Sequence, residues 1–242
     1  MNSGDSFHFI ESLGLIIVSH HDALKQENID CHLIGRNESE LQKLANETGQ
    51  SFSVCGNVSD EQSVSESLSS IANDKILGFA YCVGSIVLKS FQTTKSEDFI
   101  NTFNLNVTGA ILFIKKLQRQ LAENNGSIVL FSTVAVERGF NMHSVISTAK
   151  GAIQGLTTSL AAEFAPKIRV NCIAPSITQS KMAKLILDNA RLAEQIPTKH
   201  ALKRVGKPED LAETAKFLLL PNSSWITGQV IHVDGGKINI ET

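Results

Sequence analysis

Ser127 to Pro175 reads SIVLFSTVAVERGFNMHSVISTAKGAIQGLTTSLAAEFAPKIRVNCIAP, and the order of residue types along it decides the fold. It opens on a short apolar run, Ser127–Ser132, whose composition is that of a buried strand. A polar loop follows, then a long helix of small residues, then a second apolar strand over Ile168–Ile173. Hydrogen-bonding side chains gather where strand meets loop and where loop meets helix. Lys150 stands in the first turns of that helix, and Ile146 stands four residues before it.

The same alternation continues on both sides. Upstream, Phe7–Ile10 reads as a first strand and Leu13–Gln26 as an apolar-periodic helix. Asp30–Gly35 is a strand. Asn37 and Glu40 have the spacing of a capping box, opening a helix to about Glu47. Ser51–Cys55 is the next strand, and Ser59 with Gln62 repeats the capping spacing before a helix to about Ala72. Ile76–Val83 is a fully apolar strand ending at Gly84, and a long helix runs from about Ser96 to Ala122. Downstream, Met182–Glu194 is helical, Pro208 suits the first turn of a helix to Leu219, and Gln229–Val233 is a last strand. Strands and helices alternating at these lengths predict one α/β domain over 1–242: a doubly wound, Rossmann-type parallel sheet of seven strands with helices on both faces.

Composition agrees with one globular domain. The chain has 242 residues, is 42% hydrophobic and 19% charged, and can bury a substantial core. A formal net charge of −2 with scattered basic residues argues against nucleic acid or an anionic membrane as partner. Apolar runs such as Leu13–Val18 are too short to span a bilayer, and the N-terminal stretch lacks the basic flank of a signal peptide. Cys31, Cys55, Cys82 and Cys172 form no CxxC pair and fall in apolar runs, as expected of reduced core cysteines in a cytoplasmic protein. No His, Cys or carboxylate set has metal-ligand spacing, so no metal site is expected.

Four segments carry a family resemblance: GSIVLFSTVA from Gly126, STAKGAIQGLTTSLAAEFAPKIRVNCIAP from Ser147, RVGKPEDLAETAKFLL from Arg204, and WITGQVIHVDGG from Trp225. Across nearly its whole length the chain resembles the short-chain dehydrogenases/reductases, nearest the 3-oxoacyl-carrier-protein reductase-like branch. The resemblance implies an NAD(P)-dependent carbonyl reductase or alcohol dehydrogenase. In that family a serine and a tyrosine orient and protonate the carbonyl, a lysine holds the ribose and lowers the tyrosine pKa, and an asparagine supports a proton relay. Mapped by spacing, the lysine is Lys150, the asparagine Asn106, the serine position Thr133 (preceded by Ser132) and the tyrosine position Ile146.

Isoleucine has no dissociable proton and no donor. Losing a general acid typically costs roughly 10²–10⁴ in rate. The chain holds a single tyrosine, Tyr81, and it falls in a different family segment, Tyr81–Gly84. The family's glycine-rich turn, which brings backbone amides to the pyrophosphate, maps to Ile10–Ile17, where Gly14 is the one glycine. Each charge-assisted hydrogen bond lost there weakens binding by about 1.5–3 kcal/mol. The remaining cofactor positions that the resemblance implies are Arg36, Asn57, Val58, Gly84, Lys150 and Ile177. Arg36, just after the second strand, is placed to meet a 2′-phosphate and makes NADP(H) the implied cofactor. The usual Pro-Gly beside the nicotinamide is Pro175-Ser176.

Three readings follow. In the first, the chain is a catalytically impaired family member, a non-catalytic subunit of a dimer or tetramer with itself or with an active homologue. In the second, it is an NADP(H)-dependent oxidoreductase, for carbonyl or enoyl reduction, with a non-standard site. There Lys150, Thr133 and Asn106 remain, and His143, seven residues before Lys150, supplies the proton. In the third, the vacated crevice binds another ligand.

Overall fold

The computed structural model describes residues 15–19, 30–180 and 182–241. Its strands are β1 (Leu15–Ser19), β2 (Asp30–Gly35), β3 (Ser51–Val54), β4 (Ile76–Tyr81), β5 (Ser127–Phe131), β6 (Arg169–Pro175) and β7 (Val230–Val233). They form one seven-stranded sheet in the order β3-β2-β1-β4-β5-β6-β7. The helices are α1 (Glu38–Thr48), α2 (Glu61–Ser67), α3 (Ser96–Phe103), α4 (Gly109–Glu123), α5 (Ser144–Phe164), α6 (Lys184–Leu187), α7 (Ala190–Thr198) and α8 (Pro208–Leu219).

Alternation along the strands sorts side chains into two cores, one per sheet face. Ile34, Phe79, Tyr81, Ile128, Leu130, Val170 and Cys172 join Val64 of α2, Phe113 and Leu117 of α4, and Ile153 of α5. On the other face Cys31, Leu33, Ala80, Val129, Phe131 and Ile173 pack with Leu41 of α1 and Leu211 and Ala215 of α8. Neighbouring residues of one strand thus feed opposite layers, which makes this a three-layer α/β fold.

Local signals explain most boundaries. The Asn37 side chain accepts from the Glu40 amide at 3.3 Å and caps α1, while Gly49, at φ 72°, ends it. Asp60 caps α2, accepting from Ser63 N at 2.7 Å, so this helix starts one residue later than the Ser59/Gln62 spacing predicts. The expected helix over Met182–Glu194 is two short helices, because the Asn189 side chain accepts from Leu192 N and starts α7 afresh. Between α3 and α4 the helix is continuous but passes through a π turn at Asn104–Thr108, where the Gly109 amide bonds Asn104 O.

The sheet departs from expectation at β1. Six strands run the same way, but β1 is antiparallel to both its neighbours, pairing Leu15 with Ile34 and Tyr81, and Ser19 with Asp30 and Ile76. Within the helix expected over Leu13–Gln26, Leu15–Ser19 is therefore strand. The remainder of that segment, the strand expected at Phe7–Ile10, and Gly14 lie outside the described residues. Among the described residues no helix is long and apolar enough to cross a membrane, and no group of His, Cys, Asp or Glu is arranged to hold a metal ion.

Candidate functional site

The crevice lies where β4, β5 and β6 end. Parallel strands that terminate together leave a groove lined by the loops that follow them. Here those loops begin at Cys82, Ser132 and Ser176. α5 packs along the groove and contributes Ile146 and Lys150, one helical turn apart on its buried side, 5% and 8% exposed.

Lys150 is anchored to the sheet. Its Nζ donates to Phe131 O at the end of β5, at 2.8 Å. Its own backbone carbonyl accepts from Ser132 Oγ at 3.1 Å, so strand end and helix are clipped together twice. Burial lowers the Lys150 pKa to about 8, opposed by the nearby Cys172 and Cys82. Burial also pushes both thiols up to about 12, so they stay neutral beside the amine.

Asn106 is fully buried in the π turn. Its Nδ2 donates to Thr102 O at 2.8 Å, taking a carbonyl one turn back, and its Oδ1 has no donor among the described residues. That oxygen points to Gly84: a β-carbon there would lie 3.1 Å from Asn106 Oδ1 and 3.5 Å from Lys150 Nζ. The fold therefore brings Asn106, Lys150 and Gly84 to one place. Thr133 is half-buried in the loop after β5, its Oγ1 accepting from Ala135 N at 3.3 Å. His143 stands at the start of α5 with Nδ1 2.7 Å from Asn141 O and its ring against Phe140. Tyr81, the sole phenol of the chain, is buried and donates to Leu105 O at 2.6 Å, which commits it to the core.

The expected cofactor positions are more dispersed. Arg36 and Asn57 are exposed at the ends of β2 and β3, and Asn57 Oδ1 accepts from Ser59 N. Val58 is a core side chain, 4% exposed. Ile177 is half-buried beyond β6.

A family model described as enoyl-(acyl carrier protein) reductase matches residues 18–237. The chain belongs to the short-chain dehydrogenase/reductase family. A tropinone reductase homolog of Arabidopsis thaliana is 33% identical over 215 residues, covering 85% of this chain and 81% of that one. A protein of Xanthobacter autotrophicus named inactive 2-(S)-hydroxypropyl-CoM dehydrogenase 2 is 32% identical over 217 residues, covering 86% and 94%. A solved structure, ElxO with NADP bound, superposes with a TM-score of 0.78 at 25% identity, covering 86% of this chain and 88% of that one.

Among the described residues, the dinucleotide end of the site departs from the pattern of the short-chain dehydrogenases/reductases at β1. A pyrophosphate needs the turn leaving the first strand to face the crevice with its amides. Here the chain leaves β1 at Ser19, whose register partners Asp30 and Ile76 begin their strands, on the edge away from the crevice. The residue of β1 at the crevice edge is its first, Leu15, beside Ile34 and Tyr81.

Two features escaped the sequence reading. Ser132 serves as a clip for α5. Ser176, at the Pro-Gly position, hydrogen-bonds His200 at 2.8 Å. The serine substitution was visible in the chain, but its partner lies 24 residues away in no motif.

Proposed function

We propose that this chain is a short-chain dehydrogenase/reductase that has lost the reductase reaction and serves as a non-catalytic subunit. The carrying observation is Ile146, buried one turn from Lys150: by the family's spacing it falls at the proton donor's position, and it supplies neither proton nor dipole. Two facts support the reading. Among the described residues the chain leaves β1 on the sheet edge away from the crevice, and a relative at 32% identity bears the name of an inactive dehydrogenase.

The subunit role rests on the face formed by α3 and α5. A groove of about 340 Å³ runs there, lined by Phe99, Ile100, Phe103, Val145 and Ala149. Ile100 is 56% exposed and Phe103 40%, an apolar surface of the kind that interaction sites present. The partner is a second copy or an active homologue. Any dinucleotide bound is NADP(H), met by Arg36. The free cysteines fit a cytoplasmic setting.

Titration with NADPH and NADH by fluorescence or calorimetry tests this, alongside turnover of a panel of carbonyl compounds. The expected result is no turnover and no binding below the millimolar range. Micromolar binding together with turnover overturns it.

One observation favours a second reading, an NADP(H)-dependent oxidoreductase with a non-standard site. The free Asn106 Oδ1 and the Lys150 amine converge beside Gly84, where a substrate oxygen and its proton could be handled. In that case turnover is present and falls in Lys150→Ala and His143→Ala.

A further inference from the structure

The end of β6 carries a nucleophile and a base in hydrogen-bond contact. Ser176 follows Pro175, the last residue of β6, and its hydroxyl lies 2.8 Å from His200 Nε2. His200 is 3% exposed, and its other ring nitrogen, Nδ1, lies 2.8 Å from the carbonyl oxygen of Ile196. A carbonyl oxygen can only accept, so Nδ1 carries the ring proton and Nε2 presents its lone pair. The Ser176 hydroxyl therefore donates to His200. That is the order a base-activated serine requires: hydroxyl, imidazole lone pair, and a third group that fixes the tautomer.

The surroundings hold the pair in place. The Ser176 amide donates to Val233 O at the end of β7, and its carbonyl accepts from Thr178 Oγ1 at 3.1 Å. The His200 backbone amide donates to Pro197 O, and the next turn is tied to Gly235 O through the Leu202 amide. Ser176 itself is half-buried, at the strand edge where the crevice lies. The amide of Ile177, next in the chain, meets no acceptor among the described residues. A free amide immediately after the nucleophile is where a donor for a developing oxyanion is needed.

We propose that Ser176 and His200 form an acyl-transfer site acting on small carboxylic esters. Ser176 Oγ attacks the ester carbonyl carbon and forms the new C–O bond, while its proton passes to His200 Nε2. The carbonyl oxygen becomes the oxyanion, taken by the Ile177 amide. The bond to the alkoxy group then breaks, and the departing alcohol takes the proton from His200. Water repeats the sequence: it gives a proton to His200, its oxygen bonds the acyl carbon, and Ser176 leaves with the proton restored. The net reaction is ester plus water to acid plus alcohol. Esters are preferred to amides because a backbone carbonyl orients the imidazole without the negative charge that steadies an imidazolium. The site uses neither Lys150 nor a dinucleotide, so it stands independently of the proposal above, where non-catalytic refers to the reductase reaction alone.

The test uses the full chain with a fluorophosphonate probe, locating the adduct by peptide mass, and with p-nitrophenyl acetate for turnover. Ser176→Ala, His200→Gln and the exposed-site control Ser90→Ala are compared after thermal melting confirms folding. The expected result is a covalent adduct on the peptide holding Ser176 in the natural chain and in Ser90→Ala, absent in Ser176→Ala. Hydrolysis falls roughly 10²-fold or more in Ser176→Ala, and labelling slows by a similar factor in His200→Gln. Should His200→Gln fail to fold, the natural chain and Ser176→Ala decide alone. No adduct, an adduct elsewhere only, or hydrolysis unchanged in Ser176→Ala overturns the proposal.

Discussion

Asn106 and Lys150 meet across Gly84, the amide oxygen of one and the amine of the other both within 3.5 Å of where a β-carbon on that glycine would sit. The oxygen lacks a donor among the described residues, while the amine, with three protons, spends one on Phe131 O. The geometry suits a small group that both donates and accepts. It also leaves a cation deep in the fold beside a carbonyl rather than a carboxylate.

That placement has a measurable cost. The Lys150 pKa is lowered from 10.5 to about 8 by burial, so the folded chain resists the protonated form. Between those values the unfolded state binds more protons than the folded one, so full stability is present above about pH 10.5 and is lost as pH falls towards about 8. Lys150→Met is expected to raise stability by about 1–3 kcal/mol at neutral pH, net of the lost hydrogen bond, with the gain shrinking towards pH 10. Urea denaturation of both proteins across that range reads it directly.

His32 gives a second pH dependence, at the other end of the scale. It is buried in β2, with Nδ1 2.7 Å from Ser51 Oγ and Nε2 2.8 Å from Ser53 Oγ of the edge strand β3. Burial lowers its pKa from 6.5, opposed by Asp74. Stability is therefore full above about pH 6.5 and declines as pH falls below it, where the unfolded chain takes up a proton first. His32→Gln, which keeps a hydrogen-bonding side chain without titrating, is expected to flatten that decline in pH-dependent melts.

Gly109 allows α4 to cross β4 closely. A β-carbon at this position would collide with the Tyr81 hydroxyl and sit 3.0 Å from Val58 Cγ2. The hydroxyl cannot swing aside without releasing Leu105 O. Gly109→Ala is expected to destabilise by about 1–3 kcal/mol, and Tyr81→Phe alone by about 1 kcal/mol. Combined, the two changes should cost less than their sum, because the phenylalanine removes the atom that is struck. Chemical denaturation of the four-member cycle checks this.

The α3–α5 face yields an association prediction. Ile100→Glu with Phe103→Glu is expected to weaken self-association on the order of tenfold or more per residue, without loss of fold. Sedimentation velocity over a concentration series measures it. A natural chain that sediments as a monomer throughout leaves the active homologue as the partner to test by mixing.

The sequence carried the architecture where local signals were strong. Asn37, the unbroken apolar run Ile76–Val83 and Pro208 each place an element to within a residue or two of where it lies. It misleads at Leu15–Ser19, where an apolar run fits one face of a helix yet forms a strand. The β-branched Ile16, Ile17 and Val18 were the contrary signal. The direction of that strand had no local signature, because side-chain alternation reads the same both ways. At the site, spacing along α5 was enough to pair Ile146 with Lys150, both of which are buried on the helix one turn apart. The Ser176–His200 contact depends on how the loop after β6 returns past the end of β7, a tertiary matter that residue types do not encode.

The π turn at Asn104–Thr108 bears on which insertions and deletions the chain can accept. A π turn takes up one residue more than an α turn in going round once, so the helix on either side keeps its facing. Removing one residue there would restore a regular α-helix and leave Phe113, Leu117 and Leu121 against the sheet they pack on. What would be lost is the widened turn that holds Asn106 Oδ1 towards Gly84. The extra residue is thus tied to the asparagine rather than to the core of α4, and a lineage that no longer needed the one could shed the other.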